Sequence, residues 1–510
     1  MKRFLRCIVT GFVLLLLTAC DFVLNDSKIS EVENGLIPNV LIDHEPKWNI
    51  NDRMQHFNVP GVSIAVIDNY EIAWAKGFGT LNMNSLKDVK KQTLFQAASI
   101  TKPVTALLTM ILVENGVIDL DRDVNDYLKS WKVPENEFTK NEKVTIRRLL
   151  SHTAGLSVSG FRGYKPDESV PTIIEVLEGL SPANNETVRV ISTPGEKYSY
   201  SGGGYTVLQL VIEDVMNQPI SDLAQKYLFE QINMKNSIMK KPVPQKYSEQ
   251  LSTAHNNEGN PSGSHIFLPD GSACCGLWTT AEDLAKFVIV MQKAISGKSQ
   301  KIITNETAEM MLSHASSNGM GLGLFLSGRN RDMYLSHSGS NPPGFKCWLL
   351  AHKYDGYGLV VMTNSTMGGN IYEEIKRAVA KTYNWTKYKP MEYDTFDALL
   401  NDLQVRYNPD PEKSKISERQ INYMGYDFMG MGQTERAIEI LKLNIKLFPE
   451  SANCYDSLGD LYIESGDTTK AFQCYQGAVK VLKIHPDRNK GMMYLIDGYK
   501  RDFPRIFKNK

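Results

Sequence analysis

The chain has 510 residues, with 57 basic and 57 acidic side chains that cancel to zero formal charge. That balance excludes wholesale nucleic-acid binding, which needs a basic surface. Hydrophobic residues make up 42%, which supports a sizeable core and excludes global disorder. Glycine (37) and proline (22) are near ordinary usage, so collagen-like and low-complexity readings fall. The seven cysteines show no C-x-x-C spacing, which argues against a zinc ribbon or a thioredoxin-like motif. Cys274 and Cys275 are adjacent, which suits a strand edge or turn better than a bridge between them.

Taken in chain order, residues 1–19 carry Lys2, Arg3 and Arg6 and then an apolar run over 8–19. The run is short for a membrane span and reads as the hydrophobic part of a signal peptide. It ends in Leu17-Thr18-Ala19-Cys20, which resembles the bacterial lipobox. That resemblance implies cleavage before Cys20 and lipid attachment there. The protein body is then expected on a membrane, outside the cytoplasm, in the periplasm or at the cell surface. Residues 20–47 read as a polar tether.

Residues 48–385 read as one large α/β body. Strands are predicted at 61–67 (GVSIAVI) and 71–75, and an apolar helix at 104–114 (VTALLTMILVE). Further strands are predicted at 347–351 and 358–363 (GLVVMT). Strands at both ends suggest one sheet in which N- and C-terminal strands pair. Residues 386–415 read as a connector. From 416 to 510 a repeat emerges: Gly425, Phe428, Gly432 and Ala437 recur 34 residues later as Gly459, Tyr462, Gly466 and Ala471. This period, with small residues at helix crossings, resembles tetratricopeptide repeats and implies a helical segment. Two clear repeats are few for a free-standing array, so a further helix (491–501) or the α/β body is expected to cap them. The segment is expected to dock a protein partner or its own body, and to perform no chemistry.

The chemistry starts at Ser99-Ile100-Thr101-Lys102. Serine and lysine at i and i+3 share a helix face. A serine hydroxyl needs a base to become a nucleophile, and a lysine one turn away biases neighbouring proton affinities or serves as that base. The helix that follows presents its positive end to a developing oxyanion. A second S-x-x-K, Ser237 to Lys240, lacks such a helix and reads as chance. Two further elements follow in order, Tyr200-Ser201-Gly202 and His337-Ser338-Gly339, with flanks LLSHTAGL (149–156) and GLWTTAEDLAKF (276–287).

Together these residues resemble the serine β-lactamase and penicillin-binding superfamily, in its class C β-lactamase, D-aminopeptidase and esterase branch. The resemblance covers about residues 45–385. It implies an α/β (α+β) fold, with an antiparallel sheet flanked by helices and an all-helical part. It implies a serine hydrolase with Ser99 acylated, Lys102 as its lysine, Tyr200 as general base and proton donor, and His337 in the place of the K-T-G lysine. The oxyanion hole would be the backbone N–H groups of Ser99 and Ser340, with substrate contacts at Gly202, Ser338 and Gly339. Tyrosine ordinarily titrates near ~10, and a nearby cation lowers such a value. Gly202 stands where the family usually has Asn, and His337 where lactamases use Lys for the substrate carboxylate. Both departures favour an ester or a D-amino-acid-containing peptide or amide, cell-wall-derived material included, over a β-lactam. β-Lactamase or penicillin-binding carboxypeptidase activity is the alternative, and a non-catalytic ligand-sensing scaffold the second. No cofactor and no metal is expected. H-E-x-x-H is absent, and 119–130 lacks the glycine and the acidic ligand of an EF-hand loop. His152, in LLSHTAGL, reads as polar structure.

Overall fold

A computed structural model describes residues 26–43, 47–85, 87–263 and 272–503. The leader and Cys20 lie outside the described residues. The described residues form two compact units, one up to residue 35 and over 48–383, the other within 36–47 and from 384 onward. Among the described residues no helix is long and apolar enough to cross a membrane.

The first unit is built on an antiparallel six-stranded sheet. Its strands are β1 (Gly61–Asp68), β2 (Glu71–Gly79), β3 (Phe325–Arg329), β4 (Asp332–Asn341), β5 (Phe345–His352) and β6 (Gly358–Thr363), in the order β2-β1-β6-β5-β4-β3. β1 pairs with β6, with Ile64 opposite Val361, so the two ends of the unit close one sheet, as expected. The interior strands β1 and β6 are buried almost throughout, which requires cover on both faces and explains their unbroken apolar runs. Helices α1 (Thr101–Glu114), α2 (Gly202–Met216), α3 (Ala281–Ile295) and α4 (Gly369–Thr382) supply much of the rest. α3 packs on β1 and β6, and α4 on β5 and β6. α1 is buried from Thr101 to Leu112, which accounts for a helix sequence apolar on every side. The fold is mixed α/β, in agreement with the sequence reading.

The second unit corrects two boundaries. Val40–Ile42 is a buried strand, paired in parallel with Met391–Tyr393. The stretch read as tether is therefore folded there, because three consecutive apolar side chains find a core and a strand partner 351 residues downstream (Val40 with Met391). The stretch read as connector likewise holds that second strand and helix α5 (Phe396–Arg406). α5 buries Leu399 and Leu403, and the Phe396 ring meets Phe428 edge-on at 5.6 Å. Then follow α6 (Glu418–Gly430), α7 (Thr434–Leu447), α8 (Ala452–Glu464), α9 (Thr468–Ile484) and α10 (Tyr494–Asp502). Each packs on the next in turn. Glycine at the repeated position is required by contact: a Cβ on Gly425 would meet Leu441 at 2.5 Å, and one on Gly459 the Tyr475 ring at 2.4 Å. α5 packs on α7, and α10 on α9, where Tyr499 lies 4.8 Å from Tyr475. The pairs thus carry helices at either end.

Candidate active site

A short 3-10 turn, Ala98–Ile100, leads into α1 and presents Ser99 at its mouth. Ala98 adopts φ of +49°, an uncommon conformation for a residue with a Cβ and a form of strain often stored at functional sites. Two neighbours hold it. Thr101 Oγ1 donates to Ala98 O at 2.6 Å, and β4 presses on the turn so closely that a Cβ on Gly339 would sit 2.3 Å from Ala97 O. Gly339 is therefore set by close approach of two backbones.

Lys102, one helical turn on, is only 2% exposed. Its Nζ donates to Ser99 Oγ at 3.1 Å and to the Cys274 carbonyl at 2.9 Å. It also lies 4.9 Å from the centre of the Tyr200 ring. Burial works against its charge, but the groups of Tyr200, Cys274 and Cys275 outweigh that, and its pKa stands above the ordinary lysine value. Lys102 is therefore a fixed cation. Two other tyrosines line this region. Burial pushes Tyr198 up to about 12, and drives Tyr205, whose hydroxyl donates to Leu150 O, well above its usual range.

Tyr200 leads into α2. Ser201 caps that helix, its Oγ accepting the Gly204 N–H at 2.9 Å. His152 clasps the residues on both sides of Tyr200: its carbonyl accepts the Ser199 N–H at 2.7 Å and its Nδ1 the Ser201 N–H at 3.1 Å. Its ring also packs 4.2 Å from the Tyr200 ring. An accepting Nδ1 places the neutral histidine's proton on Nε2, and that buried Nε2 has no hydrogen-bond partner among the described residues. Burial, then the charge of Lys102, holds His152 well below the usual histidine pKa, so it stays neutral. The sequence reads His152 as polar structure, and its hold on both neighbours of Tyr200 emerges only in the fold.

His337, on β4, is 2% exposed, and its Nδ1 lies 2.7 Å from Ser338 O. Burial and then Lys102 bring its pKa down to about 3. It is a neutral ring within the field of the cation, with the Phe325 ring 5.5 Å away. Ser338 and Ser340 are exposed, and Ser340 Oγ accepts from Lys346 Nζ at 2.7 Å. Lys346 pairs with Ser340 across β4 and β5, a cation that the sequence reading passed over. Gly202 opens α2, and a Cβ there would meet Phe161 at 3.1 Å and Ser159 O at 3.2 Å. An aromatic edge occupies the space toward which a side chain at 202 would grow.

The structure thus brings Ser99, Lys102 and Tyr200 together, sets His337 in Lys102's field and draws β4 against the Ser99 turn. These features define a serine hydrolase. Residues 49–384 match the family described as Beta-lactamase. The chain is similar to Protein flp of Staphylococcus aureus (strain MRSA252), 22% identical over 378 residues that cover 70% of this chain and 69% of the relative. Among solved structures it is similar to the octameric penicillin-binding protein homologue from Pyrococcus abyssi, with TM-score 0.56 and 23% identity over 70% of this chain and 80% of that one. It is also similar to the β-lactamase/D-alanine carboxypeptidase from Yersinia pestis, with TM-score 0.52 and 19% identity over 64% of this chain and 95% of that one. The chain belongs to the Beta-lactamase family.

Proposed function

We propose that this hydrolase cleaves an ester or a D-amino-acid-containing peptide or amide through an acyl-enzyme on Ser99. The observation that carries the reading is the Ser99–Lys102–Tyr200 cluster, with the buried cation 3.1 Å from the serine oxygen. Ser99 Oγ attacks the acyl carbon while its proton passes to the Tyr200 oxygen, a step that requires Tyr200 to enter as the phenolate beside the Lys102 cation. The tetrahedral oxyanion is held by the N–H groups of Ser99 and Ser340. The bond to the leaving group then breaks, and Tyr200 returns the proton to that oxygen or nitrogen. Water repeats the sequence to release the acid. The Lys102 pKa stands above the ordinary lysine value, which favours Tyr200 for the base role and Lys102 for the electrostatic one.

The substrate preference follows from the two departures. Phe161 stands against Gly202 where a family asparagine would offer an amide, so that contact to a substrate amide is lost. His337 is neutral and supplies no charge to a carboxylate. A β-lactam or carboxypeptidase substrate is the second reading, favoured by one observation: Lys346 holds a cation at Ser340. A panel of activated esters, D-peptides and a penicillin, with intact-mass detection of the adduct, tests both. Higher kcat/KM on esters or D-peptides supports the first reading. A penicillin preferred over all of them, with the preference lost in Lys346→Ala, supports the second. A Ser99→Ala variant still labelled at another serine overturns the nucleophile assignment.

We further infer that Cys20 is the lipid attachment site of an envelope enzyme. Replacement of Cys20 by alanine should move the protein from the membrane fraction to the soluble one. The helical unit from about residue 416 is read as tetratricopeptide-like, docking a protein or the chain's own body without taking part in the chemistry. A Gly459→Ala substitution, which forces a Cβ into the Tyr475 ring, should destabilise that unit and leave ester turnover intact.

A further inference from the structure

Behind Lys102 lies a turn that acyl transfer does not require to contain sulfur. It runs from Ser272 to Leu277 and is tied into the centre on three sides. Thr105 Oγ1 donates to Ala273 O at 2.9 Å, the Ala273 N–H donates to Gln209 Oε1 at 3.0 Å, and the Leu277 N–H to Thr101 Oγ1 at 3.2 Å. Within it, the Cys274 and Cys275 sulfurs lie 3.0 Å apart, and Ser272 Oγ is 3.3 and 3.5 Å from them. Both thiols are free and buried. The carbonyl of Cys274 is the acceptor that, with Ser99, fixes Lys102 Nζ.

We propose that Cys274 and Cys275 form a redox-active dithiol, closed to a disulfide by a hydroperoxide and reopened by a thiol reductant, and that closure disarms the Ser99–Lys102 pair. The activity consequence rests on the reading of Ser99 as nucleophile. The Cys274 thiolate attacks one peroxide oxygen; the O–O bond breaks and leaves a sulfenic acid and hydroxide. The Cys275 thiol then attacks that sulfur, the S–S bond forms, and water leaves. In sum, two thiols and one hydrogen peroxide become one disulfide and two waters. A hydroperoxide is small and neutral, which suits thiols as buried as these. The cation beside them favours the thiolate that reacts: burial raises the Cys274 thiol, but its hydrogen bond with the Cys275 thiol and the charge of Lys102 outweigh that and bring it below the ordinary range.

The coupling to catalysis is geometric. Neighbouring Cα atoms across a trans peptide sit about 3.8 Å apart. That is closer than the ~4.4–6.8 Å that disulfides ordinarily bridge, so closure must twist the 274–275 backbone and store strain. The Cys274 carbonyl then leaves its place on Lys102. The same strain makes the bond easy to reduce, as befits a reversible device.

The test uses the full-length protein, reduced and then titrated with hydrogen peroxide. Each sample is split for alkylation and peptide mass mapping, for fluorophosphonate labelling of Ser99, and for ester turnover, before and after dithiothreitol. The expected result is loss of two hydrogens from the peptide holding both cysteines, with turnover falling in step by about 10²-fold, the cost of an active group displaced by roughly 1 Å. Both changes should reverse with reductant. Cys275→Ser, and Cys275→Ala should the serine fold poorly, should each hold its own reduced-state turnover at the same peroxide dose. Failure of the disulfide to form, its formation without loss of turnover, or equal peroxide sensitivity in the Cys275 variants would overturn the proposal. The mapping needs no substrate, so it stands apart from the nucleophile reading, which fails instead if Ser99→Ala keeps its label and turnover.

Discussion

Two stretches of this chain carry the same Ser-x-x-Lys pattern, and their surroundings differ at every point. Ser99 opens onto α1, is half-exposed, and has a buried lysine on its oxygen. Ser237 is buried in a non-helical segment, where its Oγ meets Asp283 at 3.0 Å and Thr279 at 2.7 Å. Lys240 points to solvent, 3.6 Å from the equally exposed Asp222. An i, i+3 spacing joins two side chains only when the backbone between them is helical. A lysine acts on its neighbours' proton affinities only where water does not screen it. The first stretch meets both conditions, and the second meets neither: its serine is a structural hydroxyl.

The largest expected contrast comes from alanine at each serine. Ser99→Ala should lose the ester adduct and about 10⁴-fold or more in turnover, read by intact mass and by kcat/KM. Ser237→Ala should keep kcat/KM, yet lose about 1–3 kcal/mol of stability in urea denaturation, because Asp283 gives up a buried partner. Equal activity loss in the two variants would break the comparison.

Next in size is Tyr200→Phe, expected to cost about 10²–10⁴-fold in turnover at an unchanged melting temperature. Retained activity with the same pH profile would move the base role to Lys102. A smaller effect, about 10²-fold in kcat, is expected for His152→Ala, which frees the residues on both sides of Tyr200. His152→Asn should recover part of that loss. Asparagine tolerates the positive φ of +56° found there, and its carbonyl can accept the Ser201 N–H. A merely structural histidine would show a lower melting temperature with normal kcat.

Taken per pH unit, the smallest effect is a slope of stability with pH. His337 titrates in the fold at about 3, below its unfolded value near 6.5. The unfolded chain therefore binds the extra proton first. The stability associated with the neutral ring is fully present above pH ~6.5 and is lost as pH falls toward about 3, at up to ~1.4 kcal/mol per pH unit. Urea midpoints across this window should fall less steeply in His337→Gln than in the parent protein. Equal slopes would show that the ring is not held neutral.

Ser99, Lys102, Tyr200 and His337 could be picked out because each sits in a short pattern, and the patterns occur in family order. The strands at 61–67 and 358–363 were legible for a similar reason: a central strand covered on both faces is apolar throughout. The edges of the units were not legible. Val40–Ile42 is three apolar residues in a polar stretch, and only its pairing with Met391–Tyr393 makes it a strand. The contacts of His152 and Lys346 were hidden for the same cause, since a histidine beside Tyr200 and a lysine beside Ser340 are 48 and 6 residues from their partners by number and meet only in the fold.

By itself, then, the sequence determined the helix that follows Ser99, the order of the three motifs, the pairing of the end strands in one sheet and the 34-residue helical period, all of them consequences of local spacing and hydrophobic pattern. Tertiary structure alone decided which of two identical motifs has its lysine in a dry environment, which histidine holds Tyr200, and that the Cys274 carbonyl anchors Lys102. Burial and charge at a point are sums over residues distant in the chain, and those sums exist only once the chain is folded.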